Sequence, residues 1–177
     1  MGNTPGGLPY NIGEACPSYT SKQGWTLYQG TSKADKSPCS IFKWDPKNSG
    51  GNSSVSAQNA LKLAKTIKHP NVLRCLDGVE TSSGEILIVV EPIVPLLDWL
   101  TSTRATETTK QSFAAAVTLG LWGVVRALSF LNNDVKLCHG LLSHNALFVT
   151  QGGDWKMSRF DLTSTVDANF LDRHSLL

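Results

Sequence analysis

The stretch that most constrains the fold of this 177-residue chain is residues 135–161, VKLCHGLLSHNALFVTQGGDWKMSRFD. A short apolar run, residues 147–149, is followed by the turn pair Gly152-Gly153 and by a second short run, residues 155–158. Short apolar runs on either side of a glycine turn are typical of paired strands. The pattern therefore predicts a loop and then a β-hairpin, with residues 159–161 (Arg-Phe-Asp) directly after the second strand.

Two segments have the spacing of amphipathic helices, residues 55–68 and residues 111–132. Apolar residues that recur every three or four positions share one face of a helix, and that face packs on a core. The first helix should end at His69-Pro70, because the residue before a proline avoids helical geometry. The second helix has the stronger pattern, and its predicted packed face consists of Phe113, Val117, Gly120, Leu121, Val124, Leu128 and Leu131.

The remaining apolar runs predict strands and one further helix. The apolar runs at residues 72–80 and 85–90 are separated by a Ser-Ser-Gly turn, so they should form a hairpin. Residues 96–100 predict a short helix, and residues 101–110 predict a polar linker. The predicted strands are residues 10–13, 25–30, 39–44, 72–80 and 85–90.

Composition argues against several classes of function. The net charge is only +2 and the basic residues are scattered, so a nucleic-acid surface is not expected. The four cysteines form no CxxC pair, which argues against zinc and favours free thiols, as in a cytosolic protein. The sequence shows neither a signal peptide nor a long apolar span, so no transmembrane segment is expected.

Residues 139–161 resemble the catalytic and metal-binding loops of protein kinases, where H-R-D-L-x-x-x-N precedes two short strands and then D-F-G. Leu141 stands at the Asp of the first motif, Ala146 at its Asn, and Arg159 at the Asp of the second. In kinases the first of these groups accepts the proton of the substrate hydroxyl, and the other two hold magnesium ions. Leucine cannot accept a proton, alanine has no ligand oxygen, and arginine is itself a cation. The resemblance therefore implies a kinase scaffold that does not transfer phosphate.

The resemblance extends to the N-terminal half of the chain. Gly13 is what remains of the glycine-rich loop that covers the phosphates. Lys43 aligns with the lysine of V-A-I-K, which contacts the nucleotide phosphates, and it is expected to point into the cleft between the lobes. The glutamate that pairs with that lysine falls at Ala60, so Lys43 has lost its partner.

Residues 91–94 resemble the hinge between the two lobes of a kinase. Val90 would guard the back of the nucleotide pocket, and Pro92 removes one backbone N–H from the hinge. No cofactor is required by this interpretation, but ATP remains possible, without magnesium ligands. The candidate nucleotide-binding residues are Gly13, Lys43, Val90, Glu91 and Ile93.

Several short motifs occur in kinase order: YNIGE, GWTLYQG, HPN, CHGLLSHNALFV and GDWK. Together they resemble the N-terminal domain of the SCY-like pseudokinases. The resemblance implies an α+β fold with an antiparallel N-lobe sheet, one regulatory helix and an incomplete helical C-lobe. It also implies a cytoplasmic scaffold, peripheral to Golgi or endosomal membranes, with trafficking coat proteins as partners.

The expected organisation is a tail over residues 1–9, an N-lobe over residues 10–91 and part of a C-lobe over residues 92–177. Few residues follow Asp161, so the long helix should expose an apolar patch where further C-lobe helices would pack. Three functions remain open at this point: a catalytically inactive interaction module, an ATP-binding protein with weak residual protein kinase activity, and a truncated product without an independent function.

Overall fold

The computed structural model describes residues 8–19, 21, 23–49, 53–106 and 110–166. The expected tail therefore lies almost wholly outside the described residues, and so does the end of the expected C-lobe part, residues 167–177. The described residues form an upper and a lower lobe on either side of a cleft.

The upper lobe is built on an antiparallel sheet with the strand order β1-β2-β3-β5-β4. The central strands bury apolar side chains on both faces, as the adjacent residues Ile41 and Phe42 of β3 show. All five predicted strands are confirmed, with ends shifted by up to three residues. Their bounds are β1 (Tyr10–Ala15), β2 (Trp25–Ser32), β3 (Pro38–Trp44), β4 (Cys75–Glu80) and β5 (Ile86–Val90).

Helix α1 (Ser54–Thr66) covers one face of this sheet. Ser53 caps the helix, since its hydroxyl accepts the backbone N–H of Val55 at 3.1 Å. The helix ends before His69-Pro70, as the sequence predicted. The residues that it buries against the sheet are small, and this allows a close approach of helix and strands: Ala57, Ala60 and Ala64.

The lower lobe begins at β6 (Ile93–Pro95), which leads into α2 (Leu96–Thr106) and α3 (Lys110–Ser129). The linker predicted over residues 101–110 is wrong in its described part, because residues 101–106 continue α2. Two hydroxyl side chains there bond back to their own helix, Thr101 to the carbonyl of Leu97 at 2.8 Å and Ser102 to that of Trp99 at 3.1 Å. The later elements are a π-helical turn (Phe130–Val135), β7 (Leu137–Cys138), a 3₁₀ turn (His144–Ala146), β8 (Leu147–Thr150), β9 (Trp155–Met157) and β10 (Ser164–Thr165).

The predicted hairpin is confirmed as β8 and β9, and β6 pairs with the other edge of β8. Helix α3 packs on this sheet through a glycine. A Cβ added at Gly120 would come within 2.2 Å of the Trp155 ring, so only glycine allows this approach. Val124 and Ala127 extend the same packed face along the helix.

The opposite face of α3 is exposed, which confirms the predicted apolar patch. Leu121, which the sequence placed on the packed face, lies on this exposed face instead, and Trp122 is 62% exposed. The segment Lys110–Val135 also has the length and composition of a membrane span, with a mean hydropathy of 1.7. A core helix passes the same test, and the face around Gly120 packs as a core helix does. The large apolar side chains that α3 exposes are Leu119, Leu121, Trp122 and Val125.

The two lobes are joined at the back of the cleft by backbone hydrogen bonds. The N–H of Met157 donates to the carbonyl of Asn71 at 2.8 Å, and the N–H of Leu73 donates to the carbonyl of Met157 at 2.9 Å. This seam fixes the rear of the cleft. The architecture confirms the predicted α+β class: an antiparallel upper sheet with one helix, continued by a helical lower part.

Candidate functional site

The three positions that would carry the base and the two metal ligands of the kinase template line one cavity. Leu141, Ala146 and Arg159 border a pocket of about 270 Å³, together with Gln23 and residues 143–145. The loop that carries Leu141 and the hairpin that precedes Arg159 meet here, as the spacing of the sequence predicted. Leu141 presents carbon where a base would stand, and Ala146 presents a methyl group where a metal ligand would stand.

Arg159 supplies the positive charge of this cavity. Its backbone is left-handed, with φ 70°, and its side chain is only 4% exposed. Nε donates to Asp161 at 3.0 Å, while Nη1 donates to the Tyr19 hydroxyl and, at 3.0 Å, to Ser21. Nη2 donates to the side-chain carbonyl of Gln23 at 3.3 Å. A guanidinium has five N–H donors, so most of its capacity is satisfied by this chain's own side chains.

Asp161 balances the charge of Arg159. Its side chain is 1% exposed, and its two oxygens accept different donors: Oδ2 accepts from Arg159, and Oδ1 accepts from the indole N–H of Trp25. A buried charge is tolerated only when it is paired and hydrogen-bonded, and both conditions are met here. With both oxygens engaged and a cation beside it, this carboxylate is not arranged to hold a divalent metal ion.

Burial and charge act in opposite directions on the ionisation of this cluster. Burial alone would lower the pKa of Arg159, but Tyr19 and Asp161 outweigh that effect, so the pKa is raised. Burial raises the pKa of Tyr19, although the adjacent guanidinium opposes the shift. At neutral pH Arg159 is therefore charged and the phenol of Tyr19 keeps its proton.

Aromatic rings fill the inner half of the cleft. The ring centroid of Phe42 lies 5.2 Å from that of Phe148 and 5.8 Å from that of Tyr19, both edge-on, and Trp25 lies 6.5 Å from Phe42. All four rings are buried. The void that remains beside Phe42 is about 10 Å³, no more than a single water requires. The inner half of the cleft is therefore packed core.

Lys43 does not point into the cleft, so the sequence prediction for this residue is wrong. Its Nζ pairs with Glu85 at 2.7 Å on the opposite face of the sheet, with 29% of the side chain exposed. The preceding residue, Phe42, faces α1 and belongs to the same buried cluster as Ala60. Side chains alternate across a strand, so a shift of one residue in the alignment exchanges the two faces. Phe42 and Ala60 thus face each other where the template has a lysine–glutamate pair.

Two hinge N–H groups that could meet a nucleotide base, those of Glu91 and Ile93, are already used. The N–H of Ile93 donates to the hydroxyl of Ser40 at 3.1 Å, and the N–H of Glu91 donates to the carbonyl of Arg74 at 3.2 Å. Pro92 has no N–H. The carboxylate of Glu91 accepts the N–H of Arg74 at 2.8 Å, which keeps Glu91 at the back of the hinge.

The outer half of the cleft remains open as a cavity of about 810 Å³. Of the candidate nucleotide-binding residues, Gly13 and Ile93 line this cavity, whereas Lys43, Val90 and Glu91 do not. Val90 is buried in the upper core. Glu14 is the charged side chain among the described lining residues, and no Lys or Arg of the described part of the chain lines the cavity. A polyanion gains no electrostatic attraction from such a lining.

His139 holds the loop that carries Leu141. It is buried, its Nε2 donates to the carbonyl of Ser158 at 2.8 Å, and its Nδ1 accepts the N–H of Leu141 at 3.3 Å. This pair of bonds requires the neutral ring with its proton on Nε2. Burial lowers the pKa of His139, which is consistent with that form.

Sequence reasoning missed four residues of the cleft: Tyr19, Trp25, Ser40 and Phe42. A signal existed only for β3, in which Phe42 shares a face with a second large aromatic residue, Trp44. The opposite face carries Ile41, so alternation alone did not distinguish the two faces. No local pattern indicates that Tyr19 contacts a residue 140 positions away.

No protein-family model matches the chain. The probable inactive serine/threonine-protein kinase scy1 of Dictyostelium discoideum is 43% identical over 159 residues, covering 90% of this chain and 18% of the relative. Cytoplasmic export protein 1 of Saccharomyces cerevisiae is 30% identical over 158 residues, covering 89% and 19%. SCY1-like protein 2 of Homo sapiens is 24% identical over 176 residues, covering 91% and 19%.

The chain spans about a fifth of the length of these relatives. The similarity covers nearly all of this chain, and the described fold is kinase-like. The positions of the base and of both metal ligands hold Leu141, Ala146 and Arg159, whose side chains cannot perform those roles. The chain therefore belongs to the SCY1-like family of protein-kinase-like proteins, as the sequence resemblance predicted, and it is a pseudokinase.

Proposed function

We propose that this chain acts as an interaction module that does not transfer phosphate, within a protein that serves as a scaffold in intracellular vesicle trafficking. The observation that carries the proposal is the buried guanidinium of Arg159, which lies where a metal ligand would stand. The loss of transition-state charge stabilisation lowers reaction rates by orders of magnitude. What such a fold can still offer to a partner is its surface.

The trafficking part of the proposal rests on the relatives. One of them is named for cytoplasmic export, and the family resemblance implies a scaffold at Golgi or endosomal membranes with coat proteins as partners. The proposed location is accordingly the cytoplasm, peripheral to those membranes. The packed cleft supports the scaffold role, because its buried rings leave no room for a phosphate-transfer site while the two-lobed fold is retained.

A phosphotransfer assay tests the first part. The purified chain is incubated with radiolabelled ATP, magnesium and a generic Ser/Thr substrate, and we expect no label above that of a heat-denatured sample. Asp161 is the carboxylate beside Arg159, so any activity of this cleft should depend on it. Transfer by the wild type that disappears in Asp161→Asn would overturn the proposal.

A localisation and binding experiment tests the second part. The full-length protein, tagged with a fluorophore, should co-localise with Golgi or endosomal markers, and the purified protein should retain purified coat complexes in a pull-down. A diffuse distribution together with no retention would contradict the trafficking role. That result would leave the interpretation of the cleft unaffected, since the two tests are independent.

One observation favours a second candidate function, an ATP-binding protein with weak residual kinase activity. The outer cavity of about 810 Å³ retains Gly13 and Ile93 from the candidate nucleotide pocket. A ligand that binds the native state raises its melting temperature, so a thermal-shift titration separates the two candidates. A rise in Tm with ATP and magnesium, larger than that with adenosine, would favour this alternative over the interaction module.

A further inference from the structure

We propose that Arg159 replaces the nucleotide and its metal ions as the tie between the two lobes, so that the cleft is held closed without any ligand. The proposal concerns the resting conformation of the domain. It goes beyond the scaffold role and would stand even if the trafficking assignment failed.

The inner half of the cleft is closed by side chains of the segment that follows β1. Ser18 donates to the carboxylate of Asp98 in α2, on the lower lobe. Tyr19 accepts from Arg159, and Trp25, at the start of β2, donates to Asp161. The glycine-rich loop of a kinase lies over bound phosphates. The corresponding segment here is bound to the opposite lobe by its own side chains.

Helix α1 makes a second connection across the cleft. The side-chain amide of Asn59 donates to the carbonyl of Phe160 at 3.0 Å and to the carbonyl of Thr163 at 3.1 Å. These carbonyls flank Asp161. The short segment 159–163 is therefore held by two separate elements of the upper lobe, the segment after β1 and α1.

The inner half and the back of the cleft differ in the kind of bond that joins the lobes. The back is a backbone seam between Met157 and residues 71–73, which opening of the inner half need not break. The inner half consists of the Arg159 cluster and of rings from both lobes, with Phe148 below and Phe42 above. Opening it would expose these rings and remove from Arg159 its bonds to Tyr19, Ser21 and Gln23. Both changes favour the closed state.

In a kinase, groups that bridge the lobes come partly from a diffusible ligand, so closure depends on the concentration of that ligand. Here the bridging groups found among the described residues belong to one chain. The surface that spans both lobes should therefore exist in one form at all times. A partner that recognises it meets a preorganised site, which avoids the free-energy cost of ordering it on binding.

Conservative variants test the tie between the lobes and keep an aromatic ring at each buried position. The double variant Tyr19→Phe/Trp25→Phe keeps aromatic rings at both positions and removes the hydroxyl and the indole N–H that cross the cleft. The matched control Tyr28→Phe/Trp122→Phe removes the same groups from the outer face of β2 and from the exposed face of α3. Hydrogen exchange followed by mass spectrometry reports local opening. The peptides to follow are those that cover residues 16–25, residues 158–163 and, as a reference, β3 and β5.

We expect exchange in residues 16–25 and 158–163 to accelerate about tenfold or more in the cleft variant, with β3 and β5 unchanged. The matched control should exchange as the wild type does. Addition of ATP and magnesium to the wild type should leave the rates unaltered. Unchanged rates in the cleft variant, an increase spread evenly into β3 and β5, or slowing of wild-type exchange in residues 16–25 by ATP and magnesium would each overturn the proposal.

Discussion

Two ion pairs of similar length lie in opposite surroundings in this molecule. Arg159 and Asp161 are 3.0 Å apart with side chains 4% and 1% exposed, whereas Lys43 and Glu85 are 2.7 Å apart on an accessible face of the sheet. The buried pair has further hydrogen bonds to side chains of the other lobe, and the exposed pair connects β3 to the residue that precedes β5. Length alone therefore says little about the role of an ion pair, and burial and connectivity decide it.

The comparison also separates two kinds of sequence evidence. Lys43 was assigned to the cleft by a four-residue resemblance within a strand, where a shift of one position reverses the face. Arg159 was assigned by its place after a loop and a hairpin, a spacing that has no such two-fold ambiguity. Lys43, which matches the catalytic lysine of kinases, lies outside the site. Arg159, which stands at a metal-ligand position of the template, lies at its centre.

The largest expected loss of stability follows from removing one member of the buried ion pair. Arg159→Ala leaves Asp161 buried without its cation, and Asp161→Ala leaves Arg159 buried without its anion. Either change should lower the free energy of unfolding by about 3–5 kcal/mol. Urea unfolding followed by circular dichroism measures the change. A loss below about 1 kcal/mol would show that the cluster contributes little to stability.

Replacing both members of the pair is the control for that prediction. In Arg159→Met/Asp161→Leu no uncompensated charge remains, and buried pairs can often be replaced by apolar residues of similar volume with little loss. We expect the double variant to be more stable than either single variant, with a clear coupling energy between the two positions. Additive losses would indicate that the two side chains act separately.

Much of the fold was accessible from the sequence, because local periodicity determines it. The five strands of the upper sheet, α1, α3 and the β8–β9 hairpin all appear in the structure. The extension of α2 beyond residue 100 was missed, because Ser and Thr have weak helical preference, and the bonds of Thr101 and Ser102 back to the helix are not visible in the sequence pattern.

The site could be predicted from the sequence only in part, and there the spacing of motifs was the guide instead of local periodicity. Leu141, Ala146 and Arg159 line one cavity because loop and hairpin spacing fixes their positions. Gly13 and Ile93 line the outer cavity, while Lys43 was placed on the wrong face. The contacts of Tyr19 and Trp25 could not be predicted, since they join segments more than a hundred residues apart and depend on the complete packing of both lobes.

A pH titration should change the free energy of unfolding by an amount between the effects expected at the two ion pairs. The change comes from two histidines and not from either pair. Burial lowers the pKa of His139 and also that of His69, so each folded-state pKa lies below its unfolded value of about 6.5. The stabilising contribution is then complete above about pH 6.5 and is lost as the pH falls below it. Stability should decline from pH 7 towards pH 5, by at most about 1.4 kcal/mol per pH unit for the buried His139 and by less for His69, which is more exposed to solvent.

The control for the titration is His139→Asn, which should flatten part of that decline. Protonation of Nδ1 would set a second donor against the N–H of Leu141, which is the structural reason for the effect. A wild-type profile that is flat between pH 7 and pH 5, or a variant profile as steep as that of the wild type, would contradict the assignment to His139.

The smallest expected effect belongs to the exposed pair. Lys43→Ala should change the free energy of unfolding by less than about 1 kcal/mol, because an accessible pair gains little in water and is screened by salt. If Lys43 instead faced the cleft, its removal would alter any nucleotide response and would disturb the packing around Phe42. The measurement is therefore made twice, as urea unfolding at low and at high salt. A small loss that vanishes at high salt fits an outer-face pair, whereas a loss of several kcal/mol that is insensitive to salt would return Lys43 to the interior and reverse the comparison with Arg159.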